Sequence, residues 1–132
     1  MNDSPSRSRR VLLADDDPDY RSVVARLLAA DGYEVTQLCD GAETLECLAA
    51  AADGKAPFPD VLVLDFCMPG FSGLGVMRVL SKVQYMPPAI LVTAFPDPSL
   101  DRFAARFKVV KVLHKPLDFD ELLGALDEVL SG

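Results

Sequence analysis

No apolar run in the sequence approaches the roughly 20 residues that a membrane span needs. A secretory signal is missing as well. Arg7, Arg9 and Arg10 lead into only four apolar residues, Val11 to Ala14, before three aspartates, whereas a signal-peptide core takes about 7–15. A cytoplasmic protein without membrane contact is the expectation. Cysteine is scarce: Cys39, Cys47 and Cys67 are an odd number and show no C-x-x-C spacing, which argues against a disulfide framework or a zinc site. Positive charge is also short, with 13 Lys and Arg against 20 Asp and Glu, a net charge of −7 and a pI near 4.5. Such a chain repels nucleic-acid phosphate, so direct contact with DNA or RNA is not expected. The single histidine, His114, falls at the end of a predicted strand. A phosphohistidine donor needs an exposed helical face, so His114 reads as structural.

What is there is enough for one globular domain. Half of the 132 residues are apolar and 25% are charged, and a chain of this length buries roughly two thirds of its unfolded surface. Residues 1–9, rich in Ser, Arg and Pro, read as a flexible tail; residues 10–132 read as the domain. Within it, apolar runs alternate with helical patterns. Val11–Leu12–Leu13–Ala14 ends in charge, as a buried parallel strand does. Asp17 and Pro18 then form a helix start, followed by Val23, Val24, Leu27 and Leu28 at helical spacing up to Gly32. Residues 33–38 alternate like an edge strand, and Gly41 to Ala52 predicts a second helix. Val61–Leu62–Val63–Leu64 is the most apolar strand, hence central. Gly70 to Gly73 turns into a third helix with Leu74, Val76, Met77 and Leu80. Ala89–Ile90–Leu91–Val92 and Val109 to Leu113 predict two more strands, with a short helix from Pro98 to Phe107 between them. Asp118-x-x-Glu121 has the form of a capping box before a last helix.

Strand followed by helix, five times over, predicts a doubly wound α/β fold: five parallel strands with five helices on both faces. In such sheets ligands sit at the carboxyl ends of the strands. The residues there are Asp15–Asp16–Asp17, Asp65, Thr93 and Lys115. Several carboxylates converging in a cleft repel one another unless a cation sits among them, and Mg²⁺ is suited to such oxygen ligands. A lysine and a hydroxyl beside that cation form a site prepared for a phosphoryl group.

At this point the motifs carry a resemblance. Val11 through Pro18, Asp65–Phe66–Cys67–Met68–Pro69 with Gly73 beyond it, Leu91–Val92–Thr93–Ala94 and Lys115–Pro116 together resemble a response-regulator receiver domain, over essentially all of residues 10–130. The resemblance implies a flavodoxin-like fold with strand order 2-1-3-4-5. It implies a phosphoacceptor module of a two-component system rather than an enzyme: a phosphoryl group passes from a sensor histidine kinase or histidine phosphotransfer protein onto Asp65. On the same resemblance, Asp16 binds Mg²⁺ directly, Asp15 binds it through water, and the backbone carbonyl of Cys67 supplies another contact. Thr93 and Lys115 hold the phosphoryl oxygens, and Pro116 sets a cis-prone turn. Output passes to a downstream effector protein or domain. Asp17 has two readings, an N-cap or a further metal contact, and Pro18 after it favours the cap.

The sequence also departs from that family. Val112 stands where an aromatic is usual, and Phe107–Lys108–Val109 lacks the usual glycine. Cys67 and Phe95 occupy positions that help set how fast water removes the phosphoryl group; neither orients water well, which implies slow autodephosphorylation. A never-phosphorylated scaffold of the same fold is disfavoured by retention of the site residues. A phosphohydrolase of the haloacid dehalogenase type is disfavoured because Cys67 replaces its second aspartate.

Overall fold

The computed structural model describes residues 9–66, 87–94, 98–106 and 109–131. Among these residues are five strands: β1 (Arg10–Ala14), β2 (Glu34–Leu38), β3 (Val61–Asp65), β4 (Ala89–Thr93) and β5 (Val109–His114). All pair in parallel in the order β2-β1-β3-β4-β5, as the sequence implied. Four helices lie among the described residues: α1 (Pro18–Ala30), α2 (Gly41–Ala52), α3 (Pro98–Arg106) and α4 (Phe119–Ser131). The third expected helix, with Leu74, Val76, Met77 and Leu80, lies outside the described residues, as do residues 1–8 of the tail expected over 1–9.

Strand alternation sorts the core into two layers. Val11, Leu13, Val61, Val63, Ile90, Val92 and Leu113 face one side, against Val24 and Leu28 of α1 and Leu122 and Leu126 of α4. Leu12, Ala14, Leu62, Leu64 and Leu91 face the other, against Leu48 of α2 and Leu100 of α3. Each such Val, Leu or Ile side chain, once fully buried, contributes about 1.5–3 kcal/mol. Continuing the same alternation, Asp15 and Asp65 fall on the α1/α4 side, one step beyond Leu13 and Val63.

Local chemistry ends the helices where the pattern suggested. The Asp17 side chain accepts hydrogen bonds from the N–H groups of Asp19 and Tyr20 at 3.1 and 3.2 Å, with Pro18 opening α1, so Asp17 serves as the cap. At the other end, Gly32 takes φ +99, and the N–H groups of Gly32 and Tyr33 bond to Ala29 and Leu28 carbonyls at 3.0 and 3.1 Å. This is a Schellman closure, in which glycine avoids the strain a Cβ would bring. It also explains why β2 starts at Glu34 and not at Tyr33, since the Tyr33 N–H is used by the helix. Asp118 accepts from the Asp120 N–H at 2.9 Å at the head of α4.

The pairing of β4 with β5 is irregular. Ala89 faces Val109 but Ile90 faces Lys111, so the register slips by one residue at the exposed Val110. A slip of one exchanges the two faces of a strand. It sets Val112 beside Leu91 and Leu113 beside Val92, and carries His114 opposite Thr93. β5 therefore runs one residue further than its apolar run, and His114 is exposed.

Candidate functional site

Three carboxylates converge at the carboxyl ends of β1 and β3. Asp15 and Asp65 are 3% and 6% exposed, Asp16 is exposed, and one carboxylate oxygen from each lies within 4.8 Å of the others. Like charges at about 4 Å repel by roughly 4 kcal/mol at an effective dielectric near 20. Part of that is offset inside the site. Lys115 Nζ stands 3.1 Å from Asp15 Oδ2 and 3.1 Å from Asp65 Oδ2, donating a hydrogen bond to the latter. Burial alone would lower the Lys115 pKa, but the hydrogen bonds and charges of Asp65 and Asp15 outweigh it and raise the value. Among the described residues, one ammonium thus faces three carboxylates.

The surrounding backbone holds these groups in place. Asp15 Oδ1 accepts from the Asp17 N–H at 3.0 Å, and the Asp15 carbonyl accepts from Arg21 Nη1 at 2.8 Å. Arg21 Nε reaches Gln37 Oε1 on β2 at 3.2 Å, so one guanidinium ties α1 to the ends of two strands. The Lys115 N–H donates to the Thr93 carbonyl at 2.9 Å, anchoring the lysine backbone to the end of β4, where Thr93 is fully buried. The Lys115–Pro116 peptide bond is cis.

The donor set suits a hard divalent cation. Three carboxylate oxygens within 4.8 Å are the oxygen-only surroundings Mg²⁺ accepts, and the exposed Asp16 leaves that side open to the waters Mg²⁺ retains.

Every expected site residue that is described lies at this end of the sheet: Asp15, Asp16, Asp65, Thr93 and Lys115. Cys67, Phe95 and Pro96 lie outside the described residues. Val112 is half-buried on the far face, packed against the Leu91 layer. Two neighbours of the site escaped the sequence reading. One is Arg21. The other is Tyr20, whose ring centroid is 4.9 Å from Lys115 Nζ. Their only signal was position, since the first turn of a helix that follows a strand faces that strand's carboxyl end.

Residues 11–127 match the response regulator receiver domain family, and the chain belongs to it. The chain is 35% identical over 121 residues to the DNA-binding transcriptional regulator NtrC of Escherichia coli K12, a match covering 92% of this chain and 24% of NtrC. It thus spans about a quarter of that relative's length. It is 29% identical to the response regulator receiver protein CpdR of Brucella abortus, covering 92% of this chain and 97% of CpdR. Among solved structures, the signal receiver domain of an HD domain-containing protein from Pseudomonas fluorescens Pf-5 superposes with a TM-score of 0.77 at 26% identity, over 95% of this chain and 96% of that one. The chain is therefore a receiver domain of the kind found in response regulators of two-component systems. Among the described residues, no helix is long and apolar enough to cross a membrane.

Proposed function

We propose that this receiver takes a phosphoryl group from a phosphohistidine onto Asp65 and signals through changed protein contacts. The observation that carries the reading is the bridging of Asp15 and Asp65 by Lys115 at 3.1 Å each, with Asp16 alongside. A carboxylate oxygen of Asp65 attacks phosphorus, and the bond from phosphorus to the donor nitrogen breaks. Mg²⁺, held by Asp16, Asp65, the Cys67 carbonyl and Asp15 through water, would supply positive charge to the phosphoryl oxygens. Asp15 keeps the Lys115 ammonium at the pocket before transfer. As negative charge builds on the phosphoryl group, Lys115 and the Thr93 hydroxyl hold its oxygens.

In this reading the unit comprises residues 10–132 and acts as a regulatory domain of the cytoplasm. Its donor is a sensor histidine kinase or histidine phosphotransfer protein, and its output goes to an effector protein or domain. The net charge of −7 supports the absence of direct nucleic-acid contact by this chain. DNA binding in NtrC is a property of a protein four times as long.

Labelling with acetyl phosphate and Mg²⁺ tests the assignment. Wild type should acquire one phosphoryl group and Asp65→Asn none, since the amide is no nucleophile. Labelling of Asp65→Asn at the wild-type level, or none of the wild type, would sink it.

A further inference from the structure

Lysine carries its charge on a flexible four-carbon stem, and something must hold it where it is needed. Here two carboxylates do so, but both have other work in the proposed reaction. Once Asp65 carries a phosphoryl group, Lys115 must pass from the carboxylate oxygen to the phosphoryl oxygens. Tyr20 supplies a constraint that survives this change. It sits in the first turn of α1, directly after the Asp17 cap, and its ring centroid lies 4.9 Å from Lys115 Nζ. An ammonium within about 6 Å of an aromatic face is attracted to the ring quadrupole, more so where water is partly excluded. The ring is half-buried against the α1/α4 core layer. With Leu13, Val63, Asp65 and Leu117 it lines a cavity of about 10 Å³, room for about one water. Packing against the core layer is what holds the ring.

We propose that Tyr20 is a positioning residue for Lys115, its ring face keeping the ammonium at the pocket mouth as Asp65 passes from carboxylate to acyl phosphate. This rests on reading Asp65 as the phosphoacceptor. The ring, and not the hydroxyl, performs the task. The Tyr20 hydroxyl is buried and makes no hydrogen bond to Lys115, Asp15 or Asp65, so removing it should leave the site unchanged.

The test compares wild type with Tyr20→Phe, which keeps the ring, and Tyr20→Leu, which keeps apolar bulk without it. Each is made with Lys115 intact and with Lys115→Met. In unphosphorylated, metal-free protein, the Lys115 Cε methylene resonances should show a ring-current shift in wild type and Tyr20→Phe, lost in Tyr20→Leu. Labelling by acetyl phosphate and binding of beryllofluoride should weaken about 3- to 10-fold in Tyr20→Leu and stay within about twofold in Tyr20→Phe. In the Lys115→Met background, Tyr20→Leu should have no additional effect. Equal labelling of Tyr20→Leu and wild type overturns the proposal. So does a loss that persists without Lys115, or one that Tyr20→Phe shares. An unlabelled wild type instead overturns the phosphoacceptor reading, and the role of Tyr20 falls with it.

Discussion

Lys115 Nζ donates to Asp65 Oδ2 at 3.1 Å across 50 residues of sequence. The same nitrogen is 3.1 Å from Asp15 Oδ2, so one side chain joins the ends of β1, β3 and β5. The acidic cluster is thus already partly neutralised from within, and any added cation must share Asp15 and Asp65 with this lysine.

That sharing separates two substitutions by sign. Asp16→Ala removes a carboxylate that has no role in the Lys115 bridge. Its metal-free melting temperature should rise by a degree or two, because repulsion is relieved, while most of the increment on adding Mg²⁺ disappears. Thermal melts with and without MgCl₂ check this. A metal-free melting point equal to or below wild type would mean that the cluster carries little strain.

Lys115→Met should do the reverse. Asp15 and Asp65, both buried, would face each other without their counter-charge, at a cost on the order of 2 kcal/mol in metal-free protein. The increment from Mg²⁺ should exceed that of wild type, because the competing ammonium is gone. Calorimetric titration with Mg²⁺ reads the affinity directly, and weaker binding in this variant would contradict the argument.

Asp17→Ala distinguishes capping from metal binding. The Asp17 carboxylate accepts two N–H bonds at the head of α1, so its loss should destabilise the fold by about 1 kcal/mol. Asp15 Oδ1 is held by the Asp17 backbone N–H, which alanine retains, and Mg²⁺ affinity should stay within about twofold. A fall of tenfold or more would assign Asp17 to the metal.

Stability should decline on the alkaline side. Burial raises the pKa of the Tyr20 phenol, against the pull of the Lys115 charge and the Leu117 backbone, and burial likewise raises that of Tyr33. The Lys115 pKa is raised by its two carboxylate partners despite burial. Each group holds its proton more tightly folded than unfolded. Its contribution is therefore complete below about pH 10 and is lost as pH climbs through the folded-state value. Urea unfolding at pH 8 and pH 11 should show the decline, with a smaller one in Tyr20→Phe. Equal stability at both values would refute it.

Much of the architecture was legible from residue order because the signals are local. Apolar runs ending in charge marked the strands, and Asp17 before Pro18 marked a helix start. Gly32 marked a helix end through the positive φ that other residues avoid. These are properties of a few neighbouring residues, and tertiary packing had no reason to override them. The convergence of Asp15, Asp65, Thr93 and Lys115 followed at one remove, since parallel strands alternating with helices place all their carboxyl ends on one edge.

Sequence alone therefore determined the strands, their parallel arrangement, the caps and the set of charged groups at one edge. Only the tertiary structure decided how those groups meet. The run Val109 to Leu113 reads equally well with either face inward, and the slip at Val110 that chooses between them is a cross-strand event. Nor does spacing along the chain show that Lys115 spans two carboxylates or that Tyr20 lies against it. Those contacts depend on distances through space, which the packing of α1 and β5 around a common sheet sets and which no stretch of neighbouring residues encodes.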